Sequence, residues 1–240
     1  MSDMSRDDPL SRESDRRPSR SAEVQIGADV DTLFADLTLP HDPHGVIVFA
    51  HGSGSSRFSG RNRAVAAELQ GRGFATLLLD LLTPREEPVD ELTREFRFDI
   101  PLLARRLAAS ARWVASNPDT AGLPIGYFGA STGAAAALVA AADQPEGIRA
   151  IVSRGGRPDL AGARLGSVRA PTLLIVGGFD HQVIELNRSA LAQLPEPKRL
   201  VIVPGATHLF EEPGTMEQVA ALAGDWFSLY ASGASAAARA

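Results

Sequence analysis

A serine, an aspartate and a histidine follow one another along this chain, each just behind a short apolar run. Ser131 lies in Gly-Ala-Ser-Thr-Gly (129–133), Asp180 in Val-Gly-Gly-Phe-Asp (176–180) and His208 in Val-Pro-Gly-Ala-Thr-His (203–208). A serine hydroxyl is a weak nucleophile until a neighbouring base removes its proton. An imidazole does this near neutral pH, and a carboxylate that orients the ring stabilises its cation. The same imidazole then protonates the leaving group. Each residue also has a plainer reading: Ser131 as a turn former, Asp180 as the cap of a following helix, and His208 as a loop histidine. Their joint order, each after an apolar run, favours the catalytic reading.

Acyl transfer further requires donors for the oxyanion of the tetrahedral intermediate, and preorganised backbone N–H groups serve well. Thr132 N–H, just after the serine, is the expected first donor. Ser53 N–H, in His-Gly-Ser-Gly-Ser-Ser (51–56), is the expected second. A phosphate-binding P-loop is excluded in that stretch, which has no Gly-Lys-Ser/Thr ending and no lysine within reach. His51 reads as a packing and hydrogen-bonding residue. Asp159 is a weaker alternative for the acid, and Asp80 comes too early in the order. Arg154, behind the strand that follows the serine's helix, could hold an acyl carboxylate; a hydrogen bond to loop carbonyls or a salt bridge is the plainer alternative. His181 is expected to line or leave the site. His41 and His44 share a Pro-containing loop with no converging third ligand, so no metal is expected.

Strand-like and helix-like segments must position these groups. Residues 22–26 and 32–39 alternate in polarity around a turn near 27–29 and read as an edge hairpin. The continuous apolar run at 45–50 reads as a strand buried on both faces, the largely apolar 124–128 as a buried strand, and 74–79, 148–152, 172–176 and 199–203 as further strands. Helices are expected over 62–70, 94–116 (interrupted or restarted near Pro101), 134–142, 185–193 and 216–229. This alternation predicts one α/β domain over residues 21–230: a mostly parallel sheet with helices on both faces, its chemistry at the carboxyl ends of the strands. Only residues 81–97, charged and containing Pro84 and Pro88, could overhang the site, so no separate lid domain is expected.

Composition narrows the function classes. The 240 residues carry 44% apolar side chains and a net charge of −5, too mild a charge to predict nucleic-acid or membrane binding. All but one of the 24 basic residues are arginine, Lys198 being the exception. The absence of cysteine excludes disulfides, thiolate metal sites and a cysteine nucleophile. Residues 1–20 are almost wholly polar and are expected to form a disordered tail, with no apolar core for a secretory signal. Residues 231–240 are of low complexity and expected to fray. A cytoplasmic protein is the default expectation, and the sequence leaves the oligomeric state unassigned.

On Val-Phe-Ala-His-Gly-Ser-Gly-Ser-Ser (48–56), Leu-Leu-Leu-Asp-Leu-Leu-Thr (77–83), Phe-Arg-Phe-Asp-Ile (96–100), Gly-Ala-Ser-Thr-Gly, Val-Gly-Gly-Phe-Asp and Gly-Ala-Thr-His-Leu-Phe, the chain resembles the α/β-hydrolases, and among them the dienelactone hydrolase-like group. The resemblance covers nearly all of residues 21–230. It implies a triad of Ser131, Asp180 and His208 and no cofactor. True dienelactone hydrolases carry a cysteine nucleophile where this chain has Ser131. The resemblance therefore implies a serine esterase acting on small or medium carboxylic esters or lactones. Acyl transfer to an alcohol or peroxide on the same site, and a non-catalytic hydrolase-fold binding protein, are the alternatives.

Overall fold

The computed structural model describes residues 19–233. The edge hairpin is β1 (Arg20–Ala28) and β2 (Asp31–Leu39), joined at Asp29, whose φ of +55° suits a two-residue turn. The central strands are β3 (Val46–Ala50), β4 (Ala75–Leu79), β5 (Ile125–Ala130), β6 (Ala150–Arg154) and β7 (Thr172–Gly177), all buried along their length. The last strand, β8 (Lys198–Val203), is half exposed at the far edge. The sheet order is β1-β2-β4-β3-β5-β6-β7-β8, antiparallel at β1/β2 and β2/β4 and parallel elsewhere.

The helices are α1 (Gly60–Gly71), α2 (Glu86–Thr93), α3 (Ile100–Ser116), α4 (Thr132–Asp143), α5 (His181–Gln193) and α6 (Thr215–Tyr230). Side chains of α3, α4 and α5 pack on one face of the sheet, and those of α1 and α6 on the other. Parallel crossovers need helix-length connections, which is why strands and helices alternate after β3. The uninterrupted alanines of α4 follow from its position. Ala134–Ala137 are fully buried between the sheet, α3 and the 3-10 segment Pro158–Ser167, so α4 has no solvent face for a polar stripe.

Four sequence expectations are corrected. The helix foreseen from residue 94 begins at Ile100, because Asp99 caps it by accepting Leu102 N–H at 2.9 Å and Pro101 occupies the first turn. Arg94, at φ +61°, instead ends the unforeseen helix α2. β6 runs two residues beyond 152, since Ser153 and Arg154 still pair with Gly129 and Ala130 in mid-sheet. The helix foreseen at 185 starts at His181. Of the tail foreseen over 231–240, Ala231 is fully buried, and Gly233 N–H donates to His44 O at 2.9 Å. Residues 1–18 and 234–240 of the two foreseen tails lie outside the described residues. Among the described residues no helix is long and apolar enough to cross a membrane.

Candidate active site

Ser131 stands on the turn between β5 and α4 with φ +50° and ψ −120°. A non-glycine residue in that region is strained, and the surrounding chain must hold it there. Here the backbone does so: Ser131 N–H donates to Arg154 O at 3.3 Å, and Ser131 O accepts from Ala134 N–H and Arg157 N–H, both at 3.1 Å. Two glycines make the turn possible. A Cβ on Gly133 would lie 2.3 Å from Ala50 O, and one on Gly129 would lie 2.4 Å from Ala134 Cα. Ser131 itself remains partly exposed at the top of the sheet.

Asp180 caps no helix with its side chain. Its Oδ2 lies 2.5 Å from His208 Nδ1, although 28 residues separate the two. A carboxylate at that distance favours the proton on Nδ1 and leaves Nε2 with a free lone pair. Close crossing of the β7 and β8 loops brings the pair together, since a Cβ on Gly177 would lie 2.4 Å from Thr207 O. The His208 ring then sits against Gly155, whose own Cβ would be 3.6 Å from both its Nδ1 and Cε1. Ser131 and His208 thus flank the same short stretch, 154–155.

The two residues expected to supply oxyanion donors also meet through their side chains. Ser53 Oγ and Thr132 Oγ1 are hydrogen-bonded at 3.0 Å across 79 residues of chain, and a Cβ on Gly52 would lie 3.0 Å from Ser131 Cβ. Thr132 N–H belongs to the first turn of α4, where amides have no carbonyl partner within the helix. His51 is buried and braces this loop: its Nδ1–H donates to Gly52 O and its Nε2 accepts Leu81 N–H, both at 2.9 Å. Burial holds its pKa below the ordinary value, against the smaller opposing effects of Gly52 O and Asp80, and the ring stays neutral.

The other sequence-picked residues go elsewhere. Arg154 does not reach toward an acyl group. It is buried against α1, its Nη2 donating to Asn62 Oδ1 at 3.1 Å, and burial, with the like charge of Arg61, pushes its pKa down to about 10. Asp159 is held by Arg157 through two bonds of 2.9 and 2.8 Å. Asp80 accepts Arg57 N–H at 2.7 Å and Arg57 Nη1 at 2.6 Å. His41 contacts Asp42, and His44 packs edge-on to Phe74. Among the described residues no group of three or more His, Asp or Glu side chains could hold a metal ion.

Sequence reading missed a cavity of about 240 Å³ beside the Ser53 loop. Its floor is Leu81, Leu82 and Leu103, and its outer wall is Glu87, Asp90, Glu91 and Arg97 from α2 and the turn after it. A signal for α2 was present: Thr83-Pro84-Arg85-Glu86 forms a capping box. Glu86 accepts from Thr83 N–H and Oγ1–H at 2.9 and 3.0 Å, and Thr83 Oγ1 accepts Glu86 N–H at 3.3 Å. Arg106, buried on α3, anchors the box from below through Glu86, Asp31 and Leu81 O.

The dienelactone hydrolase family's sequence profile matches residues 33–232. The chain belongs to that family. The dienelactone hydrolase of Anabaena variabilis is 55% identical and superposes with a TM-score of 0.88 over 90% of this chain and 100% of that one. Est1E of Butyrivibrio proteoclasticus, 18% identical with a TM-score of 0.71 over 86% and 97% of the two chains, shares the fold. Two Mycobacterium tuberculosis strains hold a relative, provisionally named a phosphoribosyl transferase, that is 63% identical over 210 residues. The match takes 88% of this chain but 46% of that protein, so the chain spans about half the length of those relatives. Family membership makes this α/β fold a hydrolase fold, with Ser131 in the glycine-bounded turn.

Proposed function

We propose that this protein is a serine hydrolase that cleaves small or medium carboxylic esters or lactones through an acyl-enzyme on Ser131. In this reading His208 Nε2 takes the Ser131 proton as Oγ attacks the ester carbonyl carbon. The resulting oxyanion is held by Ser53 N–H and Thr132 N–H. The carbon–oxygen bond to the alcohol then breaks, and the proton on His208 passes to that oxygen. Water, deprotonated by the same ring, releases the acid and restores Ser131. Asp180 keeps the ring oriented and stabilises its cation.

Two contacts support the reading: Asp180 Oδ2 meets His208 Nδ1 at 2.5 Å, and Ser53, whose side chain bonds that of Thr132 at 3.0 Å, lies in the loop whose Gly52 packs against Ser131. The test combines fluorophosphonate labelling with hydrolysis of p-nitrophenyl butyrate. Wild type should label at Ser131 and turn over; Ser131→Ala should lose both, the rate falling by about three orders of magnitude or more, and Asp180→Asn should lose a comparable factor with labelling slowed. A folded wild type that neither labels nor turns over any ester would sink the reading.

A further inference from the structure

The cavity beside the Ser53 loop shares Ser53 and Thr132 with the reaction centre, whereas His208, Gly155 and Phe179 are not in its walls. A leaving group must lie on the side of the base that protonates it. The cavity, away from His208, therefore receives the acyl part of a substrate. Its volume of about 240 Å³ is below the usual range for drug-sized ligands, which suits a short acyl group.

The polar wall decides the chemistry of that group. Asp90 is 2% exposed and fully engaged: it accepts Phe96 N–H and Arg97 N–H at 2.9 Å and Arg97 Nε at 2.6 Å. Arg97 Nη2 in turn donates to Asp90 O at 2.9 Å. The guanidinium is thus locked in place with its charge neutralised, while Nη1 lies across the mouth of the loop, 3.5 Å from where a Cβ on Gly54 would stand. Gly54, at φ +67°, leaves that space open. Glu87 and Glu91 complete the wall and form no salt bridge among the described residues. Burial, with the nearby charges of Asp80 and Glu91, raises the pKa of Glu87 against a smaller opposing effect of Arg57.

We infer that this subsite takes an uncharged acyl group bearing an acceptor oxygen, bonded by Arg97 Nη1, and that Glu87 and Glu91 exclude acyl carboxylates. The inference rests on the serine esterase reading and names its substrate class: alkoxy-, hydroxy- or keto-acyl esters and the corresponding lactones. The wall holds three carboxylates against one guanidinium, so an incoming carboxylate meets net repulsion, which a single bond from Arg97 Nη1, its charge already paired with Asp90, offsets only in part.

The test compares kcat/KM of the full chain for three p-nitrophenyl esters of matched length: valerate, 3-methoxypropionate and succinate. Wild type should prefer the methoxy ester to valerate by about fivefold or more, the scale of one hydrogen bond to a charged donor, and should hydrolyse the succinate ester slowest. Arg97→Lys keeps a cation beside Asp90 but loses the reach of Nη1, and should bring the methoxy and valerate rates together. Glu87→Gln/Glu91→Gln should raise the succinate-to-valerate ratio of kcat/KM by about tenfold, a gain that added salt reproduces in wild type. Equal methoxy and valerate rates in wild type, or a succinate ester hydrolysed fastest, would overturn the inference while leaving the esterase reading intact. No turnover of any of the three would sink both.

Discussion

Ser131 owes its exposure to a backbone conformation that its own side chain disfavours, and the strain is met by three backbone hydrogen bonds and by glycines on both sides. Gly129 was legible in the sequence because the packing it permits is local, the strand before nearly touching the helix after, whereas Gly133 makes room for Ala50 O of β3. His51 was legible as a packing and hydrogen-bonding residue, and its burial gives it a measurable consequence. Held neutral, with a pKa below the ordinary 6.5, it binds a proton less readily folded than unfolded. As the pH falls through that ordinary value the unfolded chain gains protons first, so stability is complete above it and declines below it. Melting temperature should therefore fall between pH 7 and pH 5, before the carboxylates titrate. His51→Asn should start lower and show a flatter slope over that interval; an equal slope in both proteins would mean that His51 is not the group responsible.

The loop between β3 and α1 is rich in glycine and serine, yet it is tied at both ends to one dipeptide at the end of β4. His51 Nε2 accepts Leu81 N–H, and Arg57 gives both its N–H and its Nη1 to Asp80. Arg57 also reaches Glu23 and Asp36 and lies over the rings of Phe34 and Phe58, so the clamp extends to the edge hairpin. Ser53 sits between the two ties. Asp80→Asn keeps an acceptor for Arg57 N–H but loses the charge opposite the guanidinium. Its kcat for p-nitrophenyl butyrate should fall by about tenfold with KM changed by less than about twofold, because in the proposed mechanism the position of Ser53 N–H is felt in the transition state. An unchanged kcat would show that the loop holds its shape without the clamp. The same elements show where pattern reading stopped. α2 went unseen because two prolines and a run of charge resemble a loop, although the Thr83–Glu86 box marked its start.

Across the whole molecule, the sheet brings the ends of β3, β5, β6, β7 and β8 to one rim, and the chain closes on the opposite rim. There Ala231 is buried, its carbonyl fits against Gly45, where a Cβ would come within 2.4 Å, and Gly233 N–H bonds His44 O. A chain ending at Gly233 should be more stable than one ending at Tyr230 by about 1–2 kcal/mol in urea unfolding, the scale of one hydrogen bond and one small buried side chain. Equal midpoints would show that the strap adds nothing. The amino-acid sequence alone determined the alternation of strands and helices, the strained serine turn and the order of serine, acid and base, since each depends on residues close together in the chain. Which acid meets the histidine, the burial of Arg154 against Asn62, and the carboxylate-rich wall of the cavity beside the Ser53 loop were decided only by the tertiary structure. They depend on which distant loops the sheet order sets side by side, and pairings across 28 to 92 residues leave no periodic mark in a sequence.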